Sequence, residues 1–124
     1  MGKYWQEWIQ ERFGDRLALP VDEAVRTFWS DLPQTELAEF FELIEVEYHL
    51  NVGLLRPDDK LDRLTAPIRT NNPLRWYLVE PRIEFAASEL NFEIVKRADR
   101  AGLADHLPVF TIGQYARIWC GLKP

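Results

Sequence analysis

An all-α fold in a single domain is what this sequence predicts, on three observations. Apolar side chains recur every three or four residues in four separate runs, the period of helices packed on a core. Two of those runs open on a capping-box pattern, Asp31-x-x-Gln34 and Thr111-x-x-Gln114, and each run closes on a glycine, which is how helices start and stop. No internal repeat, low-complexity tract or linker divides the 124 residues, a length at which one core can bury roughly two-thirds of the surface exposed by the unfolded chain.

The first run puts Trp5, Trp8, Ile9 and Phe13 on one face, giving a helix over about 2–13 with Gly14 as a left-handed stop. Leu17 to Val21 break the period, and Pro20 holds Leu19 out of the helical region. Asp22 to Trp29 reads as a short helical turn. The second helix starts from an Asp31 cap, where Pro33 fits a first turn whose N–H groups have no partner. It carries Leu37, Phe40, Phe41, Ile44 and Tyr48 to about His49, and Asn51-Val52-Gly53 ends it. Residues 54–73 read as a charged loop with one helical turn around Leu61 and Leu64.

Pro81 suits a first turn, so the third helix is placed over about 81–101, on Ile83, Ala87, Leu90, Ile94, Ala98 and Ala101, with Gly102 as its stop. Trp76-Tyr77-Leu78-Val79 is β-prone and offers a rival strand reading, although it has no evident pairing partner. The fourth helix, about 112–120, follows from Ile112, Tyr115, Ala116 and Trp119 on one face between the Thr111 cap and Gly121.

Charge divides the chain. Residues 1–53 hold four Lys/Arg against eleven Asp/Glu, whereas residues 54–124 hold eleven against nine. The acidic half would repel a phosphate backbone, so nucleic acid is not an expected partner. No apolar stretch approaches the roughly 20 residues that span a bilayer, and the N-terminal residues lack a signal-peptide run, so no membrane partner is expected and the protein is read as cytoplasmic. The single Cys120 with His49 and His106 makes a poor metal site, and no metal is expected.

Phe28-Trp29-Ser30-Asp31-Leu32, followed by the alternating acidic and apolar residues from Glu36 to Val52, resembles the acyl carrier protein superfamily, in which a long loop leads to an Asp-Leu pair and an acidic second helix. Phe110-Thr111-Ile112-Gly113-Gln114-Tyr115 is similar to the start of that family's last helix. The resemblance covers about 4–52 and 109–120 and implies a four-helix acyl-carrier-like bundle with an enlarged middle section at 54–108. It also implies that the acidic helix docks on a protein with a basic patch. The family's Asp-Ser-Leu motif is replaced by Gln34-Thr35-Glu36, so the phosphopantetheine serine has no counterpart. The chain is then a relative that keeps the scaffold without the carrier chemistry. The alternative is a functional carrier modified at an unorthodox hydroxyl, Ser30 or Thr35, with phosphopantetheine as its cofactor.

The residues themselves point the same way. Glu36, Glu39, Glu42, Glu45 and Glu47 flank the apolar face of the second helix, with no Lys or Arg between 31 and 49. Like charges at i,i+3 and i,i+4 destabilise a helix slightly, so the row is either a solvated face or a surface for a basic protein partner. Acid–base catalysis would need a pocket that raises one carboxyl pKa, and neither histidine has a neighbouring nucleophile, so a non-enzymatic protein is expected, with no catalytic residues and no cofactor. Asp58-Asp59-Lys60-Leu61-Asp62 lacks the glycine of a calcium loop and reads as a surface turn. Arg56, Lys60, Arg63, Arg69 and Arg75 make the middle section basic. This segment could meet the acidic helix of another copy in a homo-oligomer.

Overall fold

In a computed structural model, which describes residues 2–124, the chain forms α1 (Lys3–Phe13), α2 (Val21–Phe28), α3 (Gln34–Tyr48), α4 (Asp62–Thr65), α5 (Pro73–Arg100) and α6 (Ile112–Trp119), with single 3-10 turns at Val52–Leu54 and Ala104–His106. Among the described residues there is no strand, only an isolated antiparallel bridge between Lys60 and Thr111. The all-α class is therefore observed. Among the described residues six helices stand where the sequence predicts four, because 21–28 and 62–65 complete helical turns of their own.

The 28-residue α5, about 42 Å long at 1.5 Å per residue, is the axis of the molecule. The helices α1, α3, α4 and α6 all pack against it. Its buried residues Val79, Ile83, Ala86, Leu90, Ile94 and Ala98 recur at three or four and form the stripe expected of a core helix. Aromatic side chains fill the space between helices. Trp5 stacks on Trp8 at 4.5 Å between ring centroids, Trp8 faces Tyr48, and Phe40 meets Trp119 edge-on at 5.4 Å. The indole N–H of Trp5 donates to the Tyr48 carbonyl at 2.8 Å, joining α1 to the end of α3.

Several local expectations are corrected. The third helix starts at Pro73 rather than 81, and Trp76–Val79 lies inside it as helix. Asn72 supplies the start, its side-chain oxygen accepting from the N–H groups of Leu74 and Arg75, with Pro73 in the first turn. Pro81 is thus an interior proline. The carbonyl it leaves without an N–H partner belongs to Tyr77, on the exposed side, where water can reach it and the usual penalty is reduced. Trp76 is half-exposed.

Asp31 does not cap α3. The N-cap is Pro33, Gln34 Nε2 turns back to the Leu32 carbonyl, and the Asp31 carboxylate pairs with Arg117 at 3.3 Å. With Pro33 as the N-cap, Asp31 stands two residues before the capping position, too far for its side chain to reach N2 or N3 of this helix. By contrast, both halves of the Thr111/Gln114 box are made. Gly14 has φ −73 and is no left-handed stop, whereas Gly102 and Gly121 have φ 70 and 77. α3 closes instead on His49, in the left-handed region at φ 49, whose backbone N–H donates to the Glu45 carbonyl at 2.9 Å. Gly53 serves a different purpose: its buried Cα lies against the Leu19 backbone, which leaves no room for a Cβ.

Residues 54–72 are ordered by charge. Asp59, only 7% exposed, accepts from Arg16 Nη1 at 2.7 Å and from the Arg56 backbone N–H at 2.9 Å, with Arg63 beside it at 3.6 Å. Glu80, also buried, accepts the Ile68 N–H at 2.7 Å. Arg12 donates to the carbonyls of Asp62, Arg63, Ala66 and Pro67. Main-chain bonds from Leu61 to Phe110 and from Ile112 to Asp59 then tie this section to the start of α6.

Candidate functional site

The five glutamates follow one another along α3, and the structure separates them. Leu37, Phe40, Phe41, Ile44 and Tyr48 turn the apolar side of the helix into the core. Glu39, Glu42 and Glu45 are exposed, and Glu36 and Glu47 are half-buried at the edges of that face. Glu39 is already partnered: Arg97 of α5 donates to it at 2.8 Å while its guanidinium lies 3.9 Å over the Trp119 ring. Arg82 of α5 stands near Glu47, which favours the Arg82 charge against the effect of burial. The absence of cations between residues 31 and 49 is thus partly made good from α5. Glu42 and Glu45 take part in no ion pair among the described residues.

Glu42 sits on a ridge between two shallow grooves. One, of about 210 Å³, lies between α2 and α3 and is floored by Val21, Val25, Leu37, Ala38 and Phe41, with Gln34, Glu42 and Glu45 at its rim. The other, of about 340 Å³, lies between α3 and α5 and includes Leu43, Val46 and Trp119 beside Glu39, Glu89, Glu93 and Arg97. Glu89 and Glu93 extend the acidic surface onto α5, and sequence reasoning missed them; only the packing of α5 on α3 puts them there. Glu93 is held below the usual carboxylate range chiefly by its bond with Lys96, 2.9 Å away. At the α2–α3 groove, an apolar floor with the unpaired carboxylates Glu42 and Glu45 at its rim suits an amphipathic basic surface on a partner.

The alternative attachment residues are both exposed, Ser30 in the turn after α2 and Thr35 in the first turn of α3. Trp29, Asp31 and Leu32, next to Ser30 in the chain, line a cleft of about 370 Å³ closed on its far side by Pro57, Gly113 and Arg117. The basic residues of the middle section are largely engaged within the chain. Arg63 bonds Asp15, Arg75 bonds Glu11, and Arg56 lies 4.5 Å over the Phe28 ring. Among the described residues no group of three or more His, Cys, Asp or Glu is placed to hold a metal ion, and no helix is long and apolar enough to cross a membrane.

Neither the sequence nor the fold matches a protein-family model, a curated protein or a solved structure.

Proposed function

We propose that this protein is a non-enzymatic, acyl-carrier-like module that binds a protein partner with a basic patch through the outer face of α3. The observation that carries the reading is the pair Glu42 and Glu45, exposed and without cations, on the rim of apolar grooves. Long-range attraction from such a rim speeds encounter, and the apolar floor supplies the contact area. The resemblance of residues 28–52 and 110–115 to the carrier family agrees with this use of the acidic helix. Of the five glutamates, Glu42 and Glu45 are the ones to reverse, because a lysine at Glu39 would also face Arg97. The double variant Glu42→Lys/Glu45→Lys is expected to lose a partner retained from cell extract by the wild-type chain, with its helical circular dichroism kept. Equal retention by both proteins would remove the proposal.

A second reading is a carrier loaded on Ser30 or Thr35, favoured by the cleft beside Ser30, whose apolar side could shelter an attached chain. Incubation with coenzyme A and a broad phosphopantetheinyl transferase, followed by intact-mass measurement, tests it. An added phosphopantetheine mass that disappears in Ser30→Ala or Thr35→Ala supports loading, and an unchanged wild-type mass excludes it under those conditions.

A further inference from the structure

The outward side of α5 repeats with a different period from its buried side. Leu78, Pro81, Phe85, Ser88, Phe92 and Val95 follow at steps of three, four, three, four and three, and all six are exposed. Alternating steps of three and four define the a and d positions of a helix that pairs with another helix along its length. The core of this chain has no use for the stripe, since α5 meets α1, α3, α4 and α6 through its other side.

The exposed area is large for a monomer. Phe85 is 61% and Phe92 64% exposed, and Tyr77 flanks them at 73%. With roughly 150–250 Å² per aromatic side chain, these three alone present on the order of 300–500 Å² of largely apolar surface. Leu74, Leu78 and Val95 add to it. The total exceeds the patch of a few hundred Å² that monomers tolerate and moves toward the roughly 800 Å² per partner of a standard interface.

We infer that this face of α5 pairs with the same face of a second copy, the two helices running antiparallel about a twofold axis. Self-complementarity selects this occupant. In the antiparallel register that centres the stripe, Phe85 faces Ser88 of the other copy, Phe92 faces Pro81 and Leu78 faces Val95, so each phenylalanine meets a smaller side chain. Interdigitation of large with small is what close packing across a seam requires. The flanks agree: Arg82, whose guanidinium in the single chain lies 4.7 Å over its own Trp5 ring, comes to the same edge of the seam as Glu89 of the second copy, twice by symmetry. A parallel pair would set Phe85 on Phe85 and Phe92 on Phe92, and would bring Glu84 against Glu89 at both edges. Opposite charges select and like charges reject in this way. Arg75 and Lys96, which approach one another in the antiparallel arrangement, are neutralised within their own chain by Glu11 and Glu93.

Sedimentation equilibrium of the full chain tests the pairing. Wild-type protein at ~100 µM, a concentration that populates weak dimers, is expected at twice the 14.6 kDa chain mass. Phe85→Glu/Phe92→Glu is expected to weaken association by more than about 100-fold while the circular dichroism and melting of the fold persist, because both side chains are exposed. A monomeric wild type, or a dimer that survives this variant, overturns the proposal. Orientation is read from a charge swap. Glu89→Arg should raise the dimer dissociation constant by about ten-fold, and Arg82→Glu/Glu89→Arg should restore it. A folded double variant that remains as weak as the single variant would overturn the antiparallel pairing.

Discussion

The outward faces of α3 and α5 lie side by side on one molecule and have opposite chemistry. α3 buries Leu37, Phe40, Phe41, Ile44 and Tyr48 and turns Glu39, Glu42 and Glu45 to solvent. α5 buries a similar stripe and yet turns Phe85, Phe92 and Val95 outward. The first follows the ordinary rule for a surface helix. The second departs from it over several turns, and such a departure marks a surface meant to be covered. Burial in the core therefore explains one side of each helix, and the other side has to be explained by what each helix meets.

The comparison breaks most visibly under truncation. Leu90→Ala, at a residue 1% exposed, is expected to cost about 2–5 kcal/mol, and Ile44→Ala on the buried side of α3 should cost a similar amount. Phe92→Ala and Val46→Ala, at exposed positions, should change the stability of dilute protein by less than about 0.5 kcal/mol. Urea titration of the four variants checks this, and a large loss at Phe92 in dilute protein would mean that its face is covered within one chain.

The two helix starts give the next contrast. Thr111→Ala removes half of an observed capping box and should cost about 1 kcal/mol. Asp31→Ala removes only an exposed pair with Arg117 and should cost less than about 0.5 kcal/mol. Thermal melting distinguishes them. At the other end of α3, His49 holds the left-handed region with a side chain that is strained there. His49→Gly should therefore raise stability by about 1 kcal/mol.

A last contrast concerns pH. Burial pushes the Cys120 thiol up from 9.0 to about 11, and Tyr115 up to about 12. Below pH 9 the thiol is protonated in both the folded and the unfolded chain and contributes no pH dependence. Between about 9 and 11 the unfolded chain ionises first, so stability falls as pH rises. Cys120→Ala should flatten part of that fall, which denaturant titrations at successive pH values would show.

The helical period made α1, α3 and α6 legible nearly to the residue, because each has one apolar face and ends in a short connection. The sequence places the start of α5 eight residues too late. Pro81 has the signature of a start, whereas the stronger signal at Asn72-Pro73, a cap followed by a first-turn proline, lies hidden within a charged stretch. Asp59 reads as part of a surface turn and Glu80 carries no signal of its own, since their burial depends on Arg16, Arg63 and the Ile68 N–H brought from other parts of the chain. The glutamates of α3 were legible as a row. Which of them keep their charge free was not, because Arg97 lies 58 residues from the Glu39 it pairs with. Nor does periodicity alone say which of the two stripes on α5 faces inward.

The reading of α3 as a docking surface is tested most directly by measuring one affinity twice. The partner retained by the wild-type chain is titrated against wild type and against Glu42→Lys/Glu45→Lys, at low and at raised salt. A loss of about ten-fold or more in the variant at low salt, narrowing as salt screens the rim, with the melting curve unchanged, is the expected result. Affinities that agree at both salt concentrations, or a wild-type chain that retains no partner, would contradict it.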